Sequence, residues 1–151
     1  MKLIDILTPD CVKVPLTSTQ KTEVICELVD LLAETGKIGD RQVVRDVVLA
    51  REATASTGVG HGLAVPHGKT SATKDLVMAL GKPGEPIDFA SKDGKPVGII
   101  ALLVSPTDQT GPHIQALAKI SRLMLVDSFR AALAGAETAQ EMYDIIAQYE
   151  Q

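Results

Sequence analysis

Aromatic residues, cysteines and long apolar runs are scarce in this chain, and each shortage excludes a class of protein. Aromatic residues make up 3% of the 151 residues and tryptophan is absent, which argues against stacking platforms for single-stranded nucleic acid. Two cysteines, Cys11 and Cys26, are too few for a disulfide-stabilised scaffold. The longest apolar run, residues 97–104, is far shorter than the ~20 residues that a membrane-spanning helix needs.

Positive charge is also in short supply. The 15 basic residues are outnumbered by 19 acidic ones, giving a net charge of −4, whereas a nucleic-acid-binding protein normally carries a basic patch or stripe. The N-terminus has an acidic residue at position 5 and no extended apolar region, so no signal peptide is expected. The 45% hydrophobic residues suffice for a packed core. We expect one cytoplasmic globular domain over residues 1–151, without an internal linker.

Hydrophobic periodicity predicts helices and strands that interleave along the chain. Thr17, Ser18 and Thr19 are candidate N-caps of a first helix, with Glu23 completing a capping box and Gly36 ending the helix. Asp40 is expected to cap a second helix. Strands are further predicted at residues 12–14 (ended by Pro15), 63–65, 76–80 and 97–104, and helices at 113–126 and about 138–148. This alternation predicts an α/β fold, a sheet covered by helices.

The residues that could carry chemistry concentrate between positions 51 and 69. Both a P-loop and a dinucleotide fingerprint would need glycine at position 63, which is Leu63. Ser56 lacks the nucleophile elbow of serine hydrolases. A zinc site formed by His61 and His67, with or without His113, stays open, although the six-residue spacing of the first two matches no common zinc motif.

The remaining interpretation makes His67 a nucleophile for phosphorus. A neutral imidazole can attack phosphorus and later release the phosphoryl group. The hydroxyls of Ser56 and Thr57, with N–H groups of the glycine-rich turn, would hold the phosphoryl oxygens. Arg51 would balance the charge, and His113 would orient His67 or donate to the phosphoryl group from the start of its helix.

Two sequence blocks resemble one known family. The segment REATASTGVGHGLAVPHGK is similar to the signature around the phosphorylated histidine of phosphotransferase-system enzyme IIA domains of the fructose/mannitol class, most of all to their nitrogen-regulatory branch. A second block, ALLVSPTDQTGPHIQALAKIS, resembles the family's ALLVP…DQ…H segment. The resemblance covers essentially the whole chain. It implies a mixed β-sheet sandwiched between helices, and neither a metal nor an organic cofactor.

The resemblance also implies a role for each site residue. His67 would accept a phosphoryl group from a phosphohistidine on a small carrier protein, which enzyme I charges from phosphoenolpyruvate. His113 would be the second active-site histidine, while Arg51, Ser56 and Thr57 would line the phosphoryl site. The chain departs from the family at position 61, where a histidine replaces the frequent asparagine, and in the Gly-Pro pair before His113. At position 61 we expect an exposed loop histidine.

Three functions stay open at this level. The first is a regulatory phosphoryl carrier whose state controls other proteins, such as a transporter or a kinase. The second is a phosphoryl donor to an enzyme IIB component in fructose or mannitol uptake. The third is a binding module that is not phosphorylated. None of them involves nucleic acid or insertion into a membrane.

Overall fold

The computed structural model describes all 151 residues and contains six strands and five α-helices. The strands are β1 (Val12–Leu16), β2 (Gly58–Gly60), β3 (Leu63–Ala64), β4 (His67–Lys69), β5 (Val77–Pro83) and β6 (Ile99–Ser105). The helices are α1 (Lys21–Glu34), α2 (Arg41–Thr54), α3 (Thr110–Leu123), α4 (Asp127–Gly135) and α5 (Ala139–Tyr149). The mixed α/β class is as predicted.

Strand β6 lies at the centre of a single mixed sheet. The strand order is β1-β5-β6-β3-β2, and β4 also pairs with β6. The β5–β6 pair is antiparallel, whereas β3 and β4 both run parallel to β6. Every residue of β6 is buried, and since successive side chains of a strand point to opposite faces, both faces of the sheet are covered. This confirms the prediction made from the apolar run at residues 97–104.

The bounds of α1 and α2 test the predicted caps. Gly36 adopts φ +75° just after α1, and the Asp40 carboxylate accepts hydrogen bonds from the first backbone N–H groups of α2, so both predictions are confirmed. The capping box is wrong, because α1 begins at Lys21 without a side-chain cap. The N–H groups of Thr17 and Ser18 instead donate to the carboxylate of Glu27, within α1 itself.

Other elements also differ from the predictions. Strand β1 continues through Pro15 to Leu16, which an edge strand tolerates because its outer N–H groups need no partner. Helix α3 begins at Thr110, so Pro112 lies within its first turn, where proline breaks no intrahelical bond. Helix α4 was not predicted. Only Phe129 and Leu133 of its nine residues are buried, a weak apolar signal.

Candidate functional site

The ring of His67 has a defined tautomer because a backbone carbonyl two residues earlier lies beside one of its nitrogens. Pro66 separates β3 from β4, and the carbonyl oxygen of Val65 lies 2.8 Å from His67 Nδ1. A carbonyl can only accept, so Nδ1 carries the hydrogen and Nε2 keeps the free lone pair. The side chain is half-buried. His67 therefore presents Nε2 as a nucleophilic nitrogen from a ring that cannot turn without losing a hydrogen bond.

The second histidine lies against the first. The ring centroids of His67 and His113 are 5.2 Å apart, with the planes at 71°. His113 comes from the first turn of α3 and is 2% exposed. Its Nδ1 lies 2.7 Å from the hydroxyl oxygen of Ser105, at the end of β6, while its Nε2 is buried without a partner. The fold thus brings together the two histidines that were predicted from the sequence to share one site.

Burial keeps His113 uncharged. It lowers the pKa of His113 from 6.5 to about 4, and positive charge on His67 and Lys69 acts in the same direction. At neutral pH the ring is therefore a neutral imidazole, which can donate one hydrogen bond and accept another.

This lowered pKa makes stability depend on pH in a definite direction. Between pH 6.5 and about 4 the unfolded chain binds a proton at His113 that the folded chain does not. The contribution of His113 to stability is complete above pH 6.5 and falls by up to about 3 kcal/mol as the pH drops to about 4. Urea unfolding at both ends of this range should show a smaller loss for His113→Gln than for the wild type. Equal losses of unfolding free energy in the two proteins would contradict a contribution from His113.

Lys69 belongs to the same site, although it was not among the residues predicted from the sequence. Residues two apart on a strand share a face, so Lys69 lies on the same side of β4 as His67. Its ammonium group donates to the hydroxyl of Thr110, 3.1 Å away, at the first residue of α3. Strand alternation around His67 would have found it. An exposed cation and a helix N-terminus, both favourable to anions, therefore flank the histidine pair.

Gly68, between these two residues, lets β4 approach α2 closely. A Cβ atom at this position would lie 2.8 Å from Val47 Cγ1 and 3.2 Å from Val48 Cγ2. Any larger side chain would push the strand away from the helix. The glycine thus fixes the distance of the His67 strand from α2.

The hydroxyls of Ser56 and Thr57 already have hydrogen-bond partners elsewhere in the fold. Ser56 donates to the carbonyl of Phe89 and accepts the N–H of Gly58. The N–H and hydroxyl of Thr57 both donate to the carboxylate of Glu52. The Thr57 carbonyl accepts the Val65 N–H at 3.0 Å, so this loop supports the residue that orients His67. Neither hydroxyl forms a hydrogen bond to His67, and the role of the two hydroxyls in holding phosphoryl oxygens stays a prediction.

The two other predicted residues lie at the end of α2 and in the β2–β3 turn. The Arg51 guanidinium donates to the Ala55 carbonyl at 2.9 Å and makes no hydrogen bond to His67, so its charge-balancing role also stays a prediction. His61 is exposed, as expected, and adopts φ +56°. No three His, Cys, Asp or Glu side chains lie close enough to hold a metal ion, so the three histidines form no metal cluster.

Comparison with known proteins gives the family. The family model described as "Phosphoenolpyruvate-dependent sugar phosphotransferase system, EIIA 2" matches residues 5–149. The chain belongs to this family. The resemblance seen in the two sequence blocks is thereby confirmed for nearly the whole length of the EIIA chain.

Relatives of this EIIA chain carry two kinds of name. A nitrogen regulatory protein of Bradyrhizobium diazoefficiens is 33% identical over 97% of this chain and 95% of its own length. The fructose-specific EIIABC component of Bacillus subtilis is 33% identical over 99% of this chain, which spans 24% of that protein's length. The relatives thus include both regulatory and sugar-specific proteins.

Solved structures agree with the fold of the EIIA chain. The nitrogen regulatory protein IIA-Ntr of Neisseria meningitidis superposes with a TM-score of 0.86 at 31% identity, covering 94% of this chain and 97% of that one. The mannitol enzyme IIA of Escherichia coli, solved in complex with phosphorylated enzyme IIB, has a TM-score of 0.79 at 17% identity, covering 95% and 99%. The second likeness concerns the fold alone. No helix in this EIIA chain has the length and apolar character needed to span a bilayer.

Proposed function

We propose that this chain, as a single EIIA domain over residues 1–151, carries a phosphoryl group on Nε2 of His67. The donor would be a histidine-phosphorylated carrier protein. The observation that supports the proposal is the tautomer of His67. Its Nδ1–H is held by the Val65 carbonyl, which leaves the Nε2 lone pair available for attack beside a buried, neutral His113.

The transfer exchanges one nitrogen–phosphorus bond for another. The lone pair of His67 Nε2 forms a bond to phosphorus, and the bond from phosphorus to the carrier's imidazole nitrogen breaks. The electron pair of the broken bond stays on the carrier's ring. The hydrogen stays on Nδ1 of His67 throughout and is donated to the Val65 carbonyl. The ring therefore becomes cationic when Nε2 is phosphorylated, and the hydrogen bond becomes charge-assisted.

Groups around His67 fit the charge of the incoming phosphoryl group. Lys69 and the N-terminus of α3 supply positive potential on one side. His113, whose ring lies against that of His67, contributes a buried and unpartnered Nε2. We include Arg51, Ser56 and Thr57 in the proposed site as residues that approach the phosphoryl oxygens when the carrier protein docks.

The regulatory branch is the first candidate for what happens next. The Bradyrhizobium nitrogen regulatory protein is 33% identical to this chain, and the IIA-Ntr of Neisseria meningitidis superposes with a TM-score of 0.86 at 31% identity. These likenesses support a carrier whose phosphorylation state controls binding to other proteins. The second candidate is donation to a cysteine of an enzyme IIB component, supported by the 33% identity to the fructose protein. Incubating the phosphorylated chain with an enzyme IIB and following loss of the label separates the two.

Intact mass measurement tests the proposal. The chain is incubated with phosphoenolpyruvate, enzyme I and the carrier protein, and the mass is measured before and after mild acid treatment. We expect one acid-labile phosphoryl adduct, mapped by fragmentation to His67. Absence of an adduct with a carrier from the same organism would refute the proposal and favour a binding module without phosphorylation. An adduct mapped to His61 or His113 would also refute it.

Replacing Lys69 by methionine should slow phosphorylation without preventing it. The ammonium group is exposed, so its effect is screened, and we expect a rate about five to ten times lower at low salt. The difference should shrink as salt is added. Lys74→Met is the matched control, since Lys74 is an exposed lysine with no hydrogen bond or ion pair. A Lys69 effect that does not respond to salt would argue against an electrostatic role.

A further inference from the structure

Ser105 is a buried polar residue with a single side-chain partner. It ends β6, opposite Lys69 of β4, and its side chain is wholly buried. The hydroxyl meets His113 Nδ1 at 2.7 Å and makes no other hydrogen bond. Its backbone carbonyl is occupied by the N–H of Thr70 at 2.9 Å. The hydroxyl therefore interacts with the rest of the protein through His113 alone.

The direction of this hydrogen bond follows from which acceptor is left unpaired. If His113 Nδ1–H donated to Ser105, the Ser105 hydrogen and the lone pair on His113 Nε2 would both be buried without partners. If Ser105 donates to Nδ1 instead, the Nε2–H and the lone pairs of the hydroxyl oxygen lack partners, so each arrangement leaves one donor and one acceptor unpaired. An imidazole nitrogen is a more basic acceptor than a hydroxyl oxygen, and leaving the better acceptor unpaired in a buried site costs more. The arrangement in which Ser105 donates is therefore the more stable one.

From this geometry we infer that Ser105 is a positioning residue that holds His113 in the Nε2–H tautomer. The consequence of this role for phosphoryl transfer rests on the proposed function of His67. The Nε2–H of His113 is an unsatisfied buried donor beside the ring of His67. A phosphoryl group on His67 brings oxygen acceptors to this position, so the donor gains its partner only when the phosphoryl group is present. The opposite tautomer would direct a lone pair at those oxygens.

The tautomer can be measured without any phosphorylation. A long-range proton–nitrogen NMR spectrum of the ¹⁵N-histidine-labelled chain distinguishes a protonated ring nitrogen from an unprotonated one. Spectra of His67→Ala and His61→Asn assign the three rings. We expect His113 to carry hydrogen on Nε2 in the wild type, and a mixture of the two neutral tautomers in Ser105→Ala. A wild-type His113 with hydrogen on Nδ1 overturns the inference, whether or not His67 is phosphorylated.

A double-mutant cycle tests whether Ser105 acts through His113. Loss of one positioned hydrogen bond is expected to lower the phosphorylation rate of Ser105→Ala about tenfold. In the His113→Ala background the same substitution should have no further effect on the rate. An equal drop in both backgrounds would show that Ser105 acts on folding or packing, and would overturn the inference. Thermal melting of each variant establishes that the protein is folded.

The two proposals fail in distinguishable ways. A chain that takes no phosphoryl group but has the Nε2–H tautomer at His113 refutes the carrier function alone. A chain that is labelled on His67 but has the Nδ1–H tautomer at His113 refutes the role of Ser105 alone.

Discussion

Replacing His67 with alanine is expected to remove the phosphoryl adduct completely while leaving the fold intact. The substitution deletes the only nitrogen that the proposed transfer uses. It also removes a half-buried ring with one hydrogen bond, to the Val65 carbonyl. Loss of that bond costs about 1 kcal/mol, which lowers the melting temperature of a chain of this size by about 2–4 °C. Intact mass and a thermal melt measure the two effects.

His61→Asn is the matched control for this variant. It removes another histidine of the same motif, but one that is exposed and in the left-handed region, where asparagine is tolerated. We expect full labelling of this control. An adduct that persists in His67→Ala would place the acceptor elsewhere, and a chain that no longer folds would show that His67 has a structural role as well.

Replacing Glu52 with alanine should cause the largest loss of stability among the variants considered. The carboxylate is buried and binds three groups, which are the N–H and the hydroxyl of Thr57 and the ammonium of Lys21 at 2.8 Å. Alanine leaves all three without this acceptor. Breaking a buried charge pair by removing one partner costs about 3–5 kcal/mol. We expect the free energy of unfolding to fall by about 3 kcal/mol, near the lower end of this range. The reason is that Lys21 keeps its hydrogen bond to the Phe89 carbonyl.

Urea unfolding measures the change, and two further variants calibrate it. Glu34→Ala removes an exposed glutamate from α1 and should change the free energy of unfolding by less than about 0.5 kcal/mol. Glu52→Gln should fall between the wild type and Glu52→Ala, because the amide oxygen can still accept from Thr57. If Glu52→Ala were as stable as Glu34→Ala, the network around Thr57 would not stabilise the fold.

Features that depend on local sequence were predictable. Asp40 and Gly36 delimit helices through backbone groups a few residues away, and the apolar run of β6 indicates a strand buried on both faces. The capping box failed because a carboxylate distant in sequence, Glu27, competes for the N–H groups of Thr17 and Ser18. Helix α4 went unpredicted because its turns rely on alanine and bury two large side chains.

The site shows the same division. The pairing of His67 with His113 was proposed from residue types and from the resemblance, and the 5.2 Å ring separation agrees with it. The hydrogen-bond partner of each ring was not predictable. Ser105 and Lys69 are brought to the site by the register of β4 against β6, which no local pattern specifies. The sequence also gives no indication that the Ser56 hydroxyl donates to the Phe89 carbonyl, or the Thr57 hydroxyl to the Glu52 carboxylate.

The choice of a backbone carbonyl beside His67 Nδ1 has a thermodynamic consequence for the proposed function. A carboxylate there would neutralise the cationic phosphoimidazole and make the nitrogen–phosphorus bond harder to break. The Val65 carbonyl fixes the ring equally well but carries no net charge. Transfer between His67 and another imidazole should therefore be close to isoergonic. The direction of net phosphoryl transfer is then set by how fast the phosphorylated donor is supplied and how fast the phosphoryl group is removed to an acceptor. The fraction of His67 that carries a phosphoryl group therefore reports the ratio of these two rates.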